Sequence, residues 1–250
     1  MPIMEMNDLL RRAEDLADRC ERSSSVTVTS FLTPAEQMEL KRWAARRTDT
    51  LVFSGGGEDC ERRCAFFLPY YLSPEDFDPG EHIACAAFQS YFGSPGHRDY
   101  LGAVLALGIR REWLGDIRVR GDRAWIFSLP SVEPLLLSMD RVGRITVKVT
   151  DCPLSQVPPE EVRRETHTFT VASLRLDAVT GGLFRLSRTA AAEQIRLGLV
   201  QLNYEPCLRV DAEIREGDVI SLRGKGKGTV TEIGGKSKKD RLFVTAERRI

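Results

Sequence analysis

The chain has 250 residues, of which 42% are hydrophobic and 29% are charged, a balance typical of a globular protein with one large domain or two to three small ones. Its 36 Lys and Arg residues equal its 36 Asp and Glu residues, so the charge of the whole chain favours no particular partner. No apolar run approaches the roughly 20 residues that a membrane helix needs, and the acidic, amphipathic N-terminus is unlike a signal peptide. We therefore expect a cytoplasmic protein with no membrane partner.

The charge is unevenly distributed along the chain. Residues 173–250 contain 15 Lys or Arg and 10 Asp or Glu, a net charge of +5, whereas residues 1–172 contain 21 and 26, a net charge of −5. A basic C-terminal third attached to an acidic remainder predicts that this third binds a polyanion.

The first 78 residues are predicted to form a small α/β domain. Residues 4–22 have apolar side chains at helical spacing. Thr33-Pro34-Ala35-Glu36 has the pattern of a second helix start, with Thr33 as the N-cap and Glu36 completing a capping box. Two strands are expected after that helix, at residues 50–54 and 63–70.

Residues 79–152 show an alternation of strands and helices in the order βαββαβ. The predicted elements are strand 83–90, helix 97–107, strand 116–120, strand 124–129, helix 132–138 and strand 144–150. This order is that of the ferredoxin-like domain, which also underlies a common RNA-recognition fold. Asp122 and Ala124 stand where that fold carries stacking aromatics, so we exclude base stacking by the usual pair and expect Trp125 and Phe127 to lie half in the core.

The C-terminal module, residues 173–250, is predicted to contain two short helices followed by a small twisted sheet. A linker rich in proline and charge, residues 153–172, leads into it. Ser187 is placed as the N-cap of the second helix, and Gly198 is placed as its left-handed C-cap. The sequence thus predicts an α+β protein of three domains, the last with a basic tail.

Cations of this module are expected to form one basic face. Arg188 and Arg196 point outward from the second helix, and glycines in the segment Arg223-Gly224-Lys225-Gly226-Lys227 let the backbone approach a phosphate chain. These landmarks resemble the RNA-binding domain named after the fourth small-subunit ribosomal protein, called here the S-four domain. The expected RNA-binding residues are Arg175, Ser187, Arg188, Thr189, Arg196, Asn203, Arg223, Lys225, Lys227, Lys236, Lys238 and Lys239.

Two features of this module have a second interpretation. The tail, residues 234–241, is predicted to be a flexible basic loop, either solvated or in contact with phosphate. Asp177, in Arg175-Leu176-Asp177, resembles the acid of RNA-modifying enzymes, but in this module it is expected to fix Arg175 or to cap the fold.

Other motifs resemble catalytic or metal sites but lack the additional residues that such sites need. His97-Arg98-Asp99 occurs without a glycine-rich phosphate loop, so we expect at most a secondary phosphate contact by His97 and Arg98 at a helix start. Gly55-Gly56-Gly57 is followed by acidic residues, which would repel a phosphate, so we do not expect a nucleotide-binding loop there. Cys60 and Cys64 have no second Cys/His pair nearby, so we do not expect a zinc site. We expect no catalytic residue, no metal and no cofactor, and we interpret the six cysteines as reduced thiols.

Nearly the whole chain resembles the bacterial YlmH family. The segments that carry the resemblance are Phe31-Leu32-Thr33-Pro34 with Glu36, Gly55-Gly56 with Glu58, Glu61-Arg62, residues 95–103, residues 107–112, Gly115-Asp116-Ile117, residues 223–227 and residues 232–235. Gly57 and Lys227 depart from the pattern, where the family tends to have an aromatic residue and an arginine.

The resemblance implies a non-catalytic, monomeric factor that binds the large ribosomal subunit. There it would contact ribosomal RNA and transfer RNA in ribosome-associated quality control. Two alternatives stay open. One is an RNA-modifying enzyme of the pseudouridine synthase type, although only a short tail follows the module where a catalytic domain would be needed. The other is a protein-interaction scaffold in which residues 1–170 do the main work.

Overall fold

The computed structural model describes residues 3–47, 50–57, 59–160 and 164–249. The protein is an α+β protein with three sheets, which agrees with the predicted class. It divides into two compact units, Met1–Glu160 (unit 1) and Glu161–Ile250 (unit 2).

The N-terminal part of unit 1 consists of two helices and a three-stranded antiparallel sheet. Its elements are α1 (Ile3–Ser23), β1 (Thr27–Val28), α2 (Pro34–Ala44), β2 (Thr50–Ser54) and β3 (Cys64–Leu68), and the strand order is β1-β3-β2. The predicted capping box at the start of α2 is confirmed, because the Thr33 N–H donates to Glu36 at 2.6 Å and Thr33 Oγ1 accepts from the Glu36 N–H at 3.4 Å.

The rest of unit 1 forms a five-stranded antiparallel sheet with two helices. Its elements are β4 (Ala84–Ser90), α3 (His97–Ala106), β5 (Leu114–Arg120), β6 (Arg123–Ser128), α4 (Glu133–Leu137), β7 (Arg141–Val142) and β8 (Ile145–Asp151). The strand order is β5-β6-β4-β8-β7. The elements follow the predicted βαββαβ order, with β7 as a short addition. Phe88 and Ile126 cover the helix side of the sheet, where Phe88 meets the Tyr100 ring of α3 edge-on, the two centroids 5.6 Å apart.

The opposite side of this sheet packs on the N-terminal part of the unit. Cys85, Trp125 and Phe127 share a core with Phe31 and Phe66. Trp125 and Phe127 were expected to lie half in the core, and the structure buries both of them fully, at 8% and 0% exposure. The predicted boundary at residues 78 and 79 is therefore not a boundary between separate units, because the two sheets bury their apolar faces together.

Unit 2 contains two helices and a six-stranded antiparallel sheet. Its elements are β9 (Arg164–Val171), α5 (Leu176–Phe184), α6 (Arg188–Arg196), β10 (Val200–Leu202), β11 (Glu205–Pro206), β12 (Val219–Leu222), β13 (Gly226–Lys236) and β14 (Leu242–Arg249). The strand order is β11-β10-β12-β13-β14-β9. The two helices contribute Val179, Leu183 and Ile195 to a core that the sheet completes with Val230 and Val244.

Two predicted loops are strands in the structure. The predicted linker 153–172 contains β9, whose residues from 164 to 171 all pair with β14. The predicted basic tail loop begins at residue 234, but β13 continues to Lys236 and only a tight turn separates it from β14. The partner of β9 lies more than 70 positions away, so local composition does not reveal that strand, whereas β13 extends further into its hairpin with β14 than the glycines at 234 and 235 suggest.

Among the residues that the structure describes, no helix is long and apolar enough to cross a membrane.

Candidate nucleic-acid interface

A buried carboxylate lies at the start of α5. Arg175 is the extended N-cap residue (φ −94°, ψ 147°), and its backbone bridges to Glu213, so a strand-like segment fixes where the helix begins. The N–H groups that follow are satisfied outside the helix, because Leu176 donates to the Ala212 carbonyl at 2.8 Å and Asp177 to the Val210 carbonyl at 3.0 Å. Asp177, in the first turn, is only 4% exposed.

Two arginines neutralise this carboxylate. Arg175 donates from Nε to Asp177 Oδ1 at 3.2 Å and from Nη2 to Oδ2 at 3.4 Å. Arg188, the first residue of α6, donates from Nε to Oδ2 at 3.0 Å. Burial opposes ionisation, but the hydrogen bonds and charges of the two arginines outweigh it and lower the pKa of Asp177. The prediction that Asp177 fixes Arg175 is confirmed, whereas its bond to Arg188 was not foreseen.

This triad of Arg175, Asp177 and Arg188 presents a net positive charge. Both arginine side chains are partly exposed, at 39% and 55%, while the carboxylate behind them is buried. A guanidinium is a planar fork, so a carboxylate that occupies its inner edge leaves the outer N–H groups oriented for a second acceptor such as a phosphate oxygen. The triad therefore preorganises two cations at the surface where α5 and α6 begin.

Helix α6 connects the triad to a second group of cations. Ser187 Oγ accepts from the Ala190 N–H at 3.1 Å, and Gly198 has φ +70°, so both predicted ends of the helix are confirmed. Arg188 and Arg196 are exposed and lie about 12 Å apart along the axis, at about 1.5 Å per residue. Thr189 is exposed on the first turn.

The turn between β12 and β13 lies beside the C-terminal end of α6. The Arg223 N–H donates to the Leu199 carbonyl at 3.0 Å, and Arg248 donates from Nη2 to the Lys225 carbonyl at 2.6 Å. Gly224 and Gly226 have φ +80° and +94°, which explains the glycines between the cations. An open groove of about 660 Å³ lies here, lined by residues that include Gly198, Arg223, Gly224, Gly226 and Lys227.

The lysines of the other hairpin belong to a different surface. Lys236 is the last residue of β13, and Lys238 and Lys239 follow it in the turn. The strand starts at Gly226 and has 11 residues, which span roughly 33 Å. The tight turn is closed by a Ser237 N–H bond to the Arg241 carbonyl at 2.7 Å and by an ion pair between Lys236 and Asp240 at 2.7 Å. These three lysines, which were expected to bind RNA, therefore lie apart from the predicted basic face of the helix arginines and the Arg223–Lys227 loop, because β13 separates the two turns.

Two predicted contact residues already have structural roles. The Asn203 side chain donates to Asp218 Oδ1 at 2.8 Å and accepts from the Val219 N–H at 2.9 Å, and its φ of +52° is the left-handed geometry of a turn. Ser187 uses its oxygen in the helix cap. Asn203 is therefore better explained as a turn residue than as an RNA ligand.

The predicted secondary contact lies in unit 1. His97 and Arg98 are exposed in the first turn of α3. Asp99 Oδ2 accepts from the Gly96 N–H at 2.8 Å, so a carboxylate already occupies this helix start. That arrangement disfavours a phosphate on the helix N–H groups and leaves the two side chains as the possible contacts.

Sequence analysis missed two cations of unit 2. Arg185 ends α5 in the left-handed conformation (φ 55°, ψ 49°) and is exposed just before Ser187. Arg248 supports the Lys225 carbonyl and lies over the Phe184 ring, with its Cζ 5.5 Å from the ring centre. Arg185 comes directly after the last apolar residue of α5, Phe184, so the sequence could have placed the end of the helix there.

The described residues assemble no cluster of three His, Cys, Asp or Glu side chains that could hold a metal ion. The two cysteines at four-residue spacing are buried, and burial raises the pKa of Cys60 to about 11 and that of Cys64 to about 12. Thiols with such pKa values are poor nucleophiles at neutral pH.

Partly exposed arginines that are held by a buried carboxylate within an α+β fold are suited to bind the phosphates of a nucleic acid. The family described as "Putative RNA-binding domain in YlmH" matches residues 74–156. Ribosome-associated protein quality control protein P2 of Bacillus subtilis (strain 168) is 34% identical over 223 residues, which are 88% of this chain and 86% of that protein. The chain belongs to the YlmH family of RNA-binding proteins.

One solved structure has a related fold. Cell division protein ylmH from Streptococcus pneumoniae matches 62% of this chain and 95% of its own, with a TM-score of 0.54 and 23% sequence identity. At that identity the likeness concerns the fold alone.

Proposed function

We propose that this protein is a non-catalytic RNA-binding factor that docks on the large ribosomal subunit and acts in ribosome-associated quality control. It contacts ribosomal RNA and transfer RNA, works as a cytoplasmic monomer and needs no metal or cofactor. The relative from Bacillus subtilis, named for ribosome-associated quality control, supports the process. We assign residues 79–152 to the ferredoxin-like type and the module that begins at residue 173, extended by β9, to the S-four type.

The observation that carries the proposal is the Arg175–Asp177–Arg188 triad. A catalytic acid must reach its substrate, whereas Asp177 is buried and committed to two guanidiniums. The same bonds hold both arginines in place before RNA arrives, so less side-chain entropy is lost on binding. This arrangement favours a docking surface over an active site of the pseudouridine synthase type.

The docking surface extends along α6 from the triad to the turn at Arg223. Its cations are spaced over about 12 Å of helix, and the glycine turn beyond it lets the backbone approach a phosphate chain. Structured RNA is recognised mainly by shape and by phosphate contacts, which this surface is suited to make.

The test is co-sedimentation with purified large ribosomal subunits over a range of salt concentrations. We choose the triple variant Arg196→Gln, Arg223→Gln and Lys225→Gln, because all three side chains are exposed and none bonds to Asp177. Each lost phosphate contact should lower the slope of log affinity against log salt by about one unit, with no change in RNA sequence preference. Subunits that carry transfer RNA should retain the wild type more tightly than empty ones.

A matched control removes the same charge from unit 1. Arg11, Arg42 and Arg46 are exposed residues of α1, α2 and the turn after α2, and their replacement by Gln should leave co-sedimentation unchanged. If the control is lost and the triple variant is retained, residues 1–170 carry the interaction as a scaffold would. A wild type that does not pellet with large subunits at moderate salt contradicts the proposal as a whole.

A further inference from the structure

Two large aromatic side chains are exposed at one end of the five-stranded sheet. Tyr91 is 59% exposed and Phe92 is 84% exposed, next to each other after β4. Exposed neighbouring aromatics leave a large apolar area in water that a ligand can cover. No role in the core or in the docking surface of unit 2 accounts for them.

Backbone contacts bring three loops together at this end. The Ser90 N–H donates to the Asp122 carbonyl at 2.8 Å, which joins the loop after β4 to the β5–β6 turn, and Ser90 Oγ lies within hydrogen-bond distance of the Gly93 carbonyl at 2.8 Å. The Tyr91 N–H donates to the Thr146 carbonyl at 3.3 Å, which joins the same loop to the β7–β8 hairpin. We call residues 90–99, 120–123 and 141–146 the sheet-end surface.

The sheet-end surface is basic within an acidic unit. It contains five arginines and two aspartates, whereas residues 1–172 as a whole have a net charge of −5. One of the aspartates, Asp99, is occupied by the Gly96 N–H. Arg98 and Arg144 are exposed, and no carboxylate pairs with either of them in the part of the chain that the structure describes.

The surface that RNA-recognition folds ordinarily use is closed in this protein. In those folds, aromatics on the two central strands stack bases on the open side of the sheet. Here the central strands are β4 and β6, and their side chains on that side, including Cys85, Trp125 and Phe127, are buried against the N-terminal sheet. The helices cover the other side. Aromatic contact with a base is therefore left to the ends of the sheet, and this end carries the exposed pair.

We propose that the sheet-end surface binds unpaired nucleotides of RNA, with Phe92 and Tyr91 stacking on bases and Arg98 and Arg144 contacting phosphates. Stacking on an aromatic ring is tolerant of sequence, and cations beside the ring hold the backbone of the same strand. The inference rests on the proposed function to the extent that both invoke RNA, but it concerns another unit and single-stranded RNA.

The test measures the affinity of the full-length protein for a fluorescently labelled, unstructured oligouridylate and for an RNA duplex of equal length. Phe92→Ala should weaken binding of the single strand about five- to a hundredfold and leave its salt slope unchanged, because a stacking contact carries no charge. Arg98→Gln with Arg144→Gln should lower that slope by about 1.4 units, at about 0.7 per contact on single strands. Affinity for the duplex should be the same in wild type and Phe92→Ala.

Tyr70→Ala is the matched control, because Tyr70 is a 94% exposed aromatic of the same unit outside the sheet-end surface. It should bind the single strand as the wild type does. Equal affinities of the Phe92 and Tyr70 variants would overturn the proposal, and this is the result expected if the aromatic pair binds a protein. A wild type that does not bind the oligouridylate at low salt would overturn it too.

The two proposals fail separately. Loss of large-subunit co-sedimentation in the unit 2 triple variant, with Phe92→Ala binding the oligouridylate like the wild type, refutes only the sheet-end site. A wild type that binds the oligouridylate through Phe92 but does not pellet with the large subunit refutes only the ribosomal proposal. Circular dichroism of Phe92→Ala should match the wild type, since the side chain is almost fully exposed.

Discussion

At the scale of single residues, Asp177 determines how the arginines of unit 2 can be altered. A buried carboxylate that loses its partners costs far more than partly exposed arginines that lose theirs, because water can still reach the arginines. The obvious experiment on the basic surface, removal of both triad arginines, therefore tests folding as much as binding.

We expect Arg175→Ala with Arg188→Ala to destabilise unit 2 by about 3–5 kcal/mol, the usual cost of an unpaired buried charge. Adding Asp177→Asn removes that charge and should restore part of the loss, even though it is a third substitution. The three tryptophans, Trp43, Trp113 and Trp125, all lie in unit 1, so their fluorescence does not report on unit 2. Hydrogen exchange of peptides from α5 and α6 is the suitable measurement. A triple variant no more protected than the double variant would contradict this account.

The stability of unit 2 should also depend on pH through Asp177. The pKa of this carboxyl is lower in the folded protein than its ordinary value near 3.9, so folding favours the ionised form. The contribution is complete above about pH 4 and is lost as the pH falls through the lowered pKa. The difference in exchange protection between wild type and Asp177→Asn should be constant from pH 7 to pH 5 and shrink toward pH 2. A difference that grows on acidification would show that the sign is wrong.

At the scale of elements, substitutions at the N-cap of α6 can distinguish an effect on stability from an effect on RNA binding. Ser187→Ala removes the acceptor of the Ala190 N–H and should cost about 1 kcal/mol, whereas Ser187→Asp retains a capping oxygen. The aspartate also places a negative charge beside Arg188, where a phosphate is expected to bind. Thus Ser187→Asp should be about as stable as the wild type but dock more weakly, and Ser187→Ala should be less stable but dock normally. Hydrogen exchange and co-sedimentation measure the two effects, and a parallel loss in both variants would contradict the separation.

Elements set by nearby residues were predictable from the sequence. The capping box of Thr33 and Glu36, the cap at Ser187 and the left-handed Gly198 depend on residues within three or four positions, and all three are confirmed. The order of strands and helices in residues 83–151 was also visible, because apolar periodicity is local.

Elements set by distant partners were not predictable in the same way. The sequence predicts a linker at β9 because only Phe169 and Val171 of its eight residues are apolar, and nothing local points to its partner, β14, which lies more than 70 positions later. The bond between Asp177 and Arg188 joins α5 to α6. The distance between Lys236 and Arg223 depends on the length of β13. These long-range contacts decide which of the candidate residues lie close enough to act together. The set of residues that forms the basic surface could therefore be read only from the structure.

At the scale of the whole molecule, the boundary between the units decides which fragments can fold. The structure divides the chain at residues 160 and 161, whereas the sequence predicted that the C-terminal module begins at residue 173. The twelve residues between these positions include all of β9, the edge strand of the six-stranded sheet. Phe169 of this strand lies so close to Gly182 that a side chain at Gly182 would come within 3 Å of its ring.

We expect a fragment of residues 161–250 to fold and to bind structured RNA, and a fragment of residues 173–250 to aggregate. Without β9, the shorter fragment loses eight ladder pairs and exposes β14 as a long unpaired edge, which promotes pairing between copies. Size-exclusion chromatography and circular dichroism of the two fragments measure folding, and co-sedimentation with large subunits measures docking. If the shorter fragment is monomeric and docks as well as the longer one, β9 is dispensable and the predicted boundary is the correct one. If the longer fragment folds but does not dock, unit 1 is required for the interaction with the ribosome.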